Sequence, residues 1–122
     1  MRITLNWLEE QNACEEQCDM FEAEFGLDVE VCHGTFLRAL DLGLDLDWLA
    51  CDTDLLTEDE SDRYHKCERV AWDVQELSMM ELEDSFERGG PTIGYRDARL
   101  AIWRKYEETM AAELLTILEA RE

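Results

Sequence analysis

Proline is nearly missing from this 122-residue chain, with Pro91 the single instance, and no segment is rich enough in glycine or serine to act as a linker. The expectation is one domain over residues 1–122, long enough to bury a real core. Long apolar runs are missing too, so nothing reads as a bilayer-spanning helix. The start, Met1-Arg2-Ile3-Thr4-Leu5-Asn6-Trp7, has neither the sustained apolar stretch nor the cleavage site of a secretion signal. The five cysteines, an odd number, then read as reduced thiols in a cytoplasm. Positive charge is scarce: 11 Lys and Arg face 31 Asp and Glu, a net charge of −20. That balance argues against direct binding to nucleic acid or to an anionic membrane, both of which attract basic proteins.

Catalytic signatures are equally lacking. There is no nucleophile elbow and no glycine-rich phosphate loop, and the two histidines have no evident triad partners. Asp62 stands three residues before His65 and could meet it across a helix turn, a common surface pairing. Asp45-Leu46-Asp47 and Asp52-Thr53-Asp54 echo the start of a calcium loop. Counting from Asp52, however, Thr57 takes the glycine position and Arg63 the position of the bidentate glutamate. Cys14, Cys18, Cys32, His33, Cys51, His65 and Cys67 are the candidate zinc ligands, but they lack two close pairs at turn-like spacing. Cys14 and Cys18 share a helical stripe with Phe21 and Phe25 and read as small buried hydrophobes. The expectation is a protein that is not an enzyme and holds no metal or cofactor.

What the chain does have is acid in one half. Residues 1–62 carry 18 Asp and Glu against Arg2 and Arg38, a net of −16, while the other 60 residues carry 13 against nine, a net of −4. With 46% hydrophobic residues and four tryptophans, the acidic half is no disordered tail.

The apolar spacing is helical almost throughout, which gives an all-α fold. Residues 1–56 form several short acidic helices packed on a long antiparallel helical hairpin of residues 57–122. Asn6 and Glu9 have the spacing of a capping box, and Cys14, Cys18, Phe21 and Phe25 make the next helix. Gly26-Leu27-Asp28 and Gly43-Leu44-Asp45 both resemble Schellman stops. Between them Leu27–Val31 alternates, as a short strand or an extended link. Asp45 caps a helix carrying Trp48, Leu49 and Leu55. Thr57 and Glu60 open the longest helix, with Tyr64, Cys67, Ala71, Val74 and Leu77, then Met80 and Phe86, on its inner face. Gly89-Gly90-Pro91 ends it. The last helix carries Tyr95, Ala98, Ile102, Tyr106, Met110, Leu114 and Ile117 inward, while Trp72 and Trp103 lie off the inner stripes.

The acidic residues Glu9, Glu10, Glu15, Glu16, Asp19, Glu22, Asp45, Asp47, Asp52 and Asp54 are the candidate partner-binding set. The bland alternative is a solvated face, yet solubility needs a net charge of only about 2–8. Side chains one helical turn apart stand about 5–6 Å from each other. A row at that pitch approximates a nucleic-acid strand, with one charge per ~3.4 Å of axis. The expected partner is the basic groove of a protein that binds DNA or RNA, with Trp7 or Trp48 as an aromatic anchor.

Ala13-Cys14-Glu15-Glu16, Phe21, Phe25-Gly26 and the run from Leu42 to Ala50 resemble a small helical module of phage and prophage accessory proteins. Tyr64, Cys67-Glu68-Arg69 and Trp103-Arg104-Lys105-Tyr106-Glu107 are similar to the long helices that follow that module. The likeness covers about two-thirds of the chain and carries over no catalytic residue. It implies a phage-derived accessory protein in the host bacterial cytoplasm, in the company of anti-CRISPR and other counter-defence inhibitors, with a CRISPR effector complex as a plausible target. The other expectation is a non-catalytic phage interaction or assembly module, acidic only for solubility and dimerising through the hairpin.

Self-repulsion in the acidic half should weaken the fold at low ionic strength. The melting temperature is expected to rise from low to moderate salt in a thermal scan. A flat or falling curve would mean that the acids are well separated or neutralised.

Overall fold

Thr57 fixes the start of the longest helix. Its hydroxyl accepts a hydrogen bond from the Glu60 amide at 3.3 Å, and the Glu60 carboxylate accepts from the Thr57 amide at 2.9 Å. This reciprocal cap satisfies two backbone donors that a helix start leaves open. From it runs a helix over Glu58–Glu87, which lies against a second over Tyr95–Glu119. The computed structural model describes residues 1–89 and 94–121. The expected Gly/Pro turn falls largely on residues 90–93, outside the described residues.

In chain order the elements are β1 (Arg2–Thr4), α1 (Leu5–Glu10), α2 (Glu15–Phe25), β2 (Asp28–Glu30), α3 (His33–Leu42), α4 (Leu46–Cys51), α5 (Glu58–Glu87) and α6 (Tyr95–Glu119). The fold is all-α apart from one small antiparallel sheet. There β1 pairs with β2 in the register Arg2 to Glu30, Ile3 to Val29 and Thr4 to Asp28. The Leu27–Val31 segment therefore contains a strand. Its partner was not expected, because three residues are too few to show an alternating pattern.

The last turns of α6 hold the core together. Met110, Ala111, Leu114, Leu115, Ile117 and Leu118 are all buried, in a helix that α3, α4 and α5 all contact. They join Ile3, Leu5, Leu8, Phe21, Phe36, Leu40, Leu49, Leu55 and Tyr64 in one cluster. Toward its start, α6 lies against α5, and Tyr95, Ala98, Ile102 and Tyr106 are half-buried.

Several local expectations need correction. The first cap is Thr4, whose hydroxyl accepts from the Trp7 amide at 3.1 Å; Asn6 lies inside α1 and donates to Glu10 instead. Gly43 is a true Schellman stop, left-handed at φ 83° and ψ 20°, with the Leu44 amide donating to the Ala39 carbonyl at 3.0 Å. Gly26 is not one: at φ 78° and ψ −137° it turns the chain into β2, leaving Leu27 exposed. Cys14 is the exposed N-cap residue of α2, and only Cys18 is buried. Leu55 lies beyond α4, yet is buried.

The inner face of α5 also departs from the expected one. Tyr64 is buried and Cys67 and Ala71 are partly covered, but Val74, Leu77, Met80 and Phe86 are exposed. A helix advances 3.6 residues per turn, so after Ala71 the covered line passes through Gln75, Ser78 and Leu82. The apolar letters step off that line at Val74, and the geometry prevails.

The C-terminal end is tied down by Arg121, whose guanidinium grips the Glu60 carboxylate and donates to the Leu55 carbonyl. The bonds from Arg121, aided by the Thr57 amide, hold the Glu60 carboxyl down at about 2, against an ordinary 4.5. A depressed carboxyl pKa stabilises the fold fully above its unfolded value and loses that effect as pH falls through the folded value. Glu60→Gln is therefore expected to destabilise by about 1 kcal/mol at pH 7, since the pair is partly solvated. The gap to the parent chain should close as pH falls from 4.5 through about 2. Urea unfolding across that range is the check, and a pH-independent gap would contradict it.

Candidate functional site

Packing of α2 decides where the acids point. Cys18 and Phe21 are buried and Phe25 is half-buried, with the Phe21 and Phe25 rings 5.4 Å apart. With that stripe turned inward, Glu15, Asp19 and Glu22 fall one turn apart along a flank of the helix. Two glutamines then knit the short elements. The Gln17 amide donates to the Gly43 carbonyl at 3.5 Å and accepts from the Asp45 amide at 3.0 Å, tying α2 to the turn before α4. Gln11 accepts from the Asp54 amide at 3.1 Å, tying the end of α1 to the segment carrying Asp52 and Asp54.

All ten expected site residues are exposed. Several arginines are engaged elsewhere. Arg2 pairs with Asp28 at 2.8 Å and with Glu30, Arg38 with Glu24 at 2.6 Å, Arg104 with Asp41 at 2.7 Å, and Arg121 with Glu60. Among the described residues no ion pair involves Glu9, Glu10, Glu15, Glu16, Asp19, Glu22, Asp45, Asp47, Asp52 or Asp54. Two of the ten serve the fold. Asp45 caps α4 by accepting from the Trp48 amide at 2.9 Å, and Asp47 accepts from the Tyr64 hydroxyl at 2.9 Å. Trp7 and Trp48, expected as free anchors, are half-buried against the core.

Beneath the acidic flank, a cavity of about 350 Å³ opens between the short helices and β2. Phe21, Phe25, Phe36 and Trp48 dominate its wall, and the Gln17 amide at its edge is already bonded on both sides.

A second polar cluster sits where α4 meets α5. Asp47 and Cys51, four apart on α4, come against Tyr64, His65 and Glu68 on α5, with the Cys51 sulfur 3.8 Å from Asp47 Oδ1. His65 Nδ1 lies 3.4 Å from Glu68 Oε1, so the histidine's neighbour is Glu68 and not Asp62. Partial burial, then the charges of Asp47 and Glu68, push the Cys51 thiol up to about 12. Burial and a hydrogen bond with Asp47 also raise the Glu68 carboxyl above its ordinary value. Each pair was legible as a helical neighbour; that the two pairs meet was not, because the meeting depends on how α4 docks.

Across the hairpin, Trp72, Trp103 and Tyr106 pack edge to face, with ring centroids 5.8, 5.8 and 6.2 Å apart. The two tryptophans thus pack on each other, although Trp72 stays 45% exposed. Beside them Val70, Val74, Leu77 and Met80 form an uncovered apolar row on α5, each at least half exposed. Among the described residues, no helix is long and apolar enough to cross a membrane. No protein-family model matches the chain, and neither a curated protein nor a solved structure is significantly similar to it.

Proposed function

We propose that the chain is a phage-derived, stoichiometric inhibitor of a host nucleic-acid-binding defence complex, of anti-CRISPR type. It covers a basic DNA- or RNA-binding surface with the acidic face of α1, α2 and α4, in the cytoplasm of the host bacterium. The observation that carries this reading is the division of charge. Among the described residues, Arg2, Arg38, Arg104 and Arg121 are paired with Asp28, Glu30, Glu24, Asp41 and Glu60, whereas Glu9, Glu15, Glu16, Asp19, Glu22 and Asp52 have no cation partner. Carboxylates already hydrated at the surface and free of internal partners need give up no ion pair to meet a Lys- and Arg-lined groove. Opposed charge of this density also accelerates encounter and makes it depend on salt. No step of this mechanism needs bond-making chemistry; occlusion alone excludes the competing polyanion.

A second reading has its own support in the apolar row of Val70, Val74, Leu77 and Met80, at 66, 50, 59 and 60% exposure. Uncovered apolar stripes of this kind mark protein contacts. On this reading the chain is a phage interaction or assembly module, a second copy covers α5, and the acids serve solubility.

Capture from a bacterial lysate with the tagged chain, at low and at moderate salt, separates the two. The proposal expects a nucleic-acid-binding complex that is retained more strongly at low salt and released by added DNA or RNA. Recovery of phage structural proteins alone, or of nothing while the chain runs as a dimer on sizing, would favour the second reading.

A further inference from the structure

The cluster between α4 and α5 does something that the acidic face does not require. We propose that Cys51, His65 and Glu68 form a binding site for a divalent metal of the zinc class, which fastens α4 to α5. One ligand atom from each of the three residues lies within 4.8 Å of the other two. With bonds of about 2.0–2.3 Å, neighbouring ligands around tetrahedral zinc stand about 3.2–3.8 Å apart. Side-chain rotations that move each atom by about 1 Å close the difference.

Three further observations fit a metal and not a chance gathering. The ligands come from facing helices, with His65 and Glu68 three apart on α5 and Cys51 on α4. This is how facing helices build metal sites in bundles. Asp47 adds a second carboxylate beside Glu68 and the Cys51 sulfur, while no arginine or lysine among the described residues bonds to any of the three. The concentration of donors therefore lacks a cation. Finally, Tyr64 is only 1% exposed, and its hydroxyl donates to Asp47, fixing that carboxylate next to the thiol. Asp47 thus adds fixed negative charge beside the site, which favours a bound dication, and the fourth metal position is left to water.

The donor set selects the metal class. A thiolate and an imidazole suit zinc, cobalt or nickel, whereas calcium and magnesium take oxygen alone. On binding, the Cys51 thiol releases its proton to solvent and the sulfur lone pair forms the bond. The site does not rest on the inhibitor reading: its three ligands are outside the acidic set, although Asp47 beside them belongs to it.

Cobalt(II) is the probe, added to the full chain under reducing conditions and then displaced by zinc. The expected result is a 1:1 complex with visible tetrahedral bands and a near-ultraviolet thiolate-to-cobalt band. That band should vanish in Cys51→Ser and persist in Cys14→Ser and Cys32→Ser. His65→Gln should remove the tetrahedral bands, and Asp47→Asn, which removes a neighbouring negative charge, should weaken zinc binding. Circular dichroism checks that each variant is folded, and zinc should raise the melting temperature of the parent chain but not of Cys51→Ser. No thiolate band in the parent chain would overturn the proposal. So would a band that survives Cys51→Ser, or one lost equally in Cys14→Ser or Cys32→Ser.

Discussion

Leu114 and Ile117, at 0% and 2% exposure, are the most deeply buried side chains of α6, the helix that α3, α4 and α5 all contact. They belong to the one apolar cluster that joins the short elements to the long helices. The short helices cannot stand alone. α1 and α4 have six residues each and α2 eleven, all below the length at which an isolated helix persists in water. Each is stable because it lays an apolar side on the common cluster, in a chain whose charge opposes compaction. Burial of that cluster has to outweigh the mutual repulsion of the acidic half.

This constraint explains how the few cations are used. Arg104 reaches from α6 to Asp41 and the Leu37 carbonyl on α3, Arg121 reaches to Glu60 and the Leu55 carbonyl, and Arg63 bridges α5 to Glu113 on α6. Arg2 and Arg38 pin the sheet and the α2–α3 contact in the same manner. Almost all of these links join elements distant in sequence. Among the described residues, Glu15, Glu16, Asp19 and Glu22 on α2 have no ion-pair partner, and they form the centre of the face proposed to meet a partner.

Cap chemistry made much of the fold legible in the sequence. Thr57 with Glu60, Asp45 before Trp48, and Gly43 before Leu44 act locally, through bonds three to five residues long, and a local signal survives whatever the tertiary context. The inward stripe of α6 was legible for a similar reason, since its apolar letters keep one helical period from Tyr95 to Ile117. The stripe of α5 was not, because Val74 and Leu77 step away from the line that reaches α6 through Gln75. Strand β1 was beyond reach, as its three residues are ordered only by β2, some 26 residues later.

Of the candidate sites, the acidic set was legible as composition and its exposure followed from the helix stripes. Which acids would lack a cation depended on where Arg104 and Arg121 land, more than 60 residues from their partners. The Cys51, His65 and Glu68 cluster was hidden for the same reason. By spacing alone Cys51 is one cysteine among five, and Glu68 is one acid among 31 until α4 docks beside it.

The division of labour between paired and unpaired carboxylates is tested most directly by removing only the latter. The variant Glu15→Gln, Glu16→Gln, Asp19→Asn and Glu22→Gln would be compared with the parent chain for stability and for binding to the complex recovered by capture. The account expects a melting temperature that is unchanged or raised, together with an affinity lower by tenfold or more and a weaker dependence on salt, at about 1.4 kcal/mol for each tenfold. Undiminished affinity in a folded variant would contradict it.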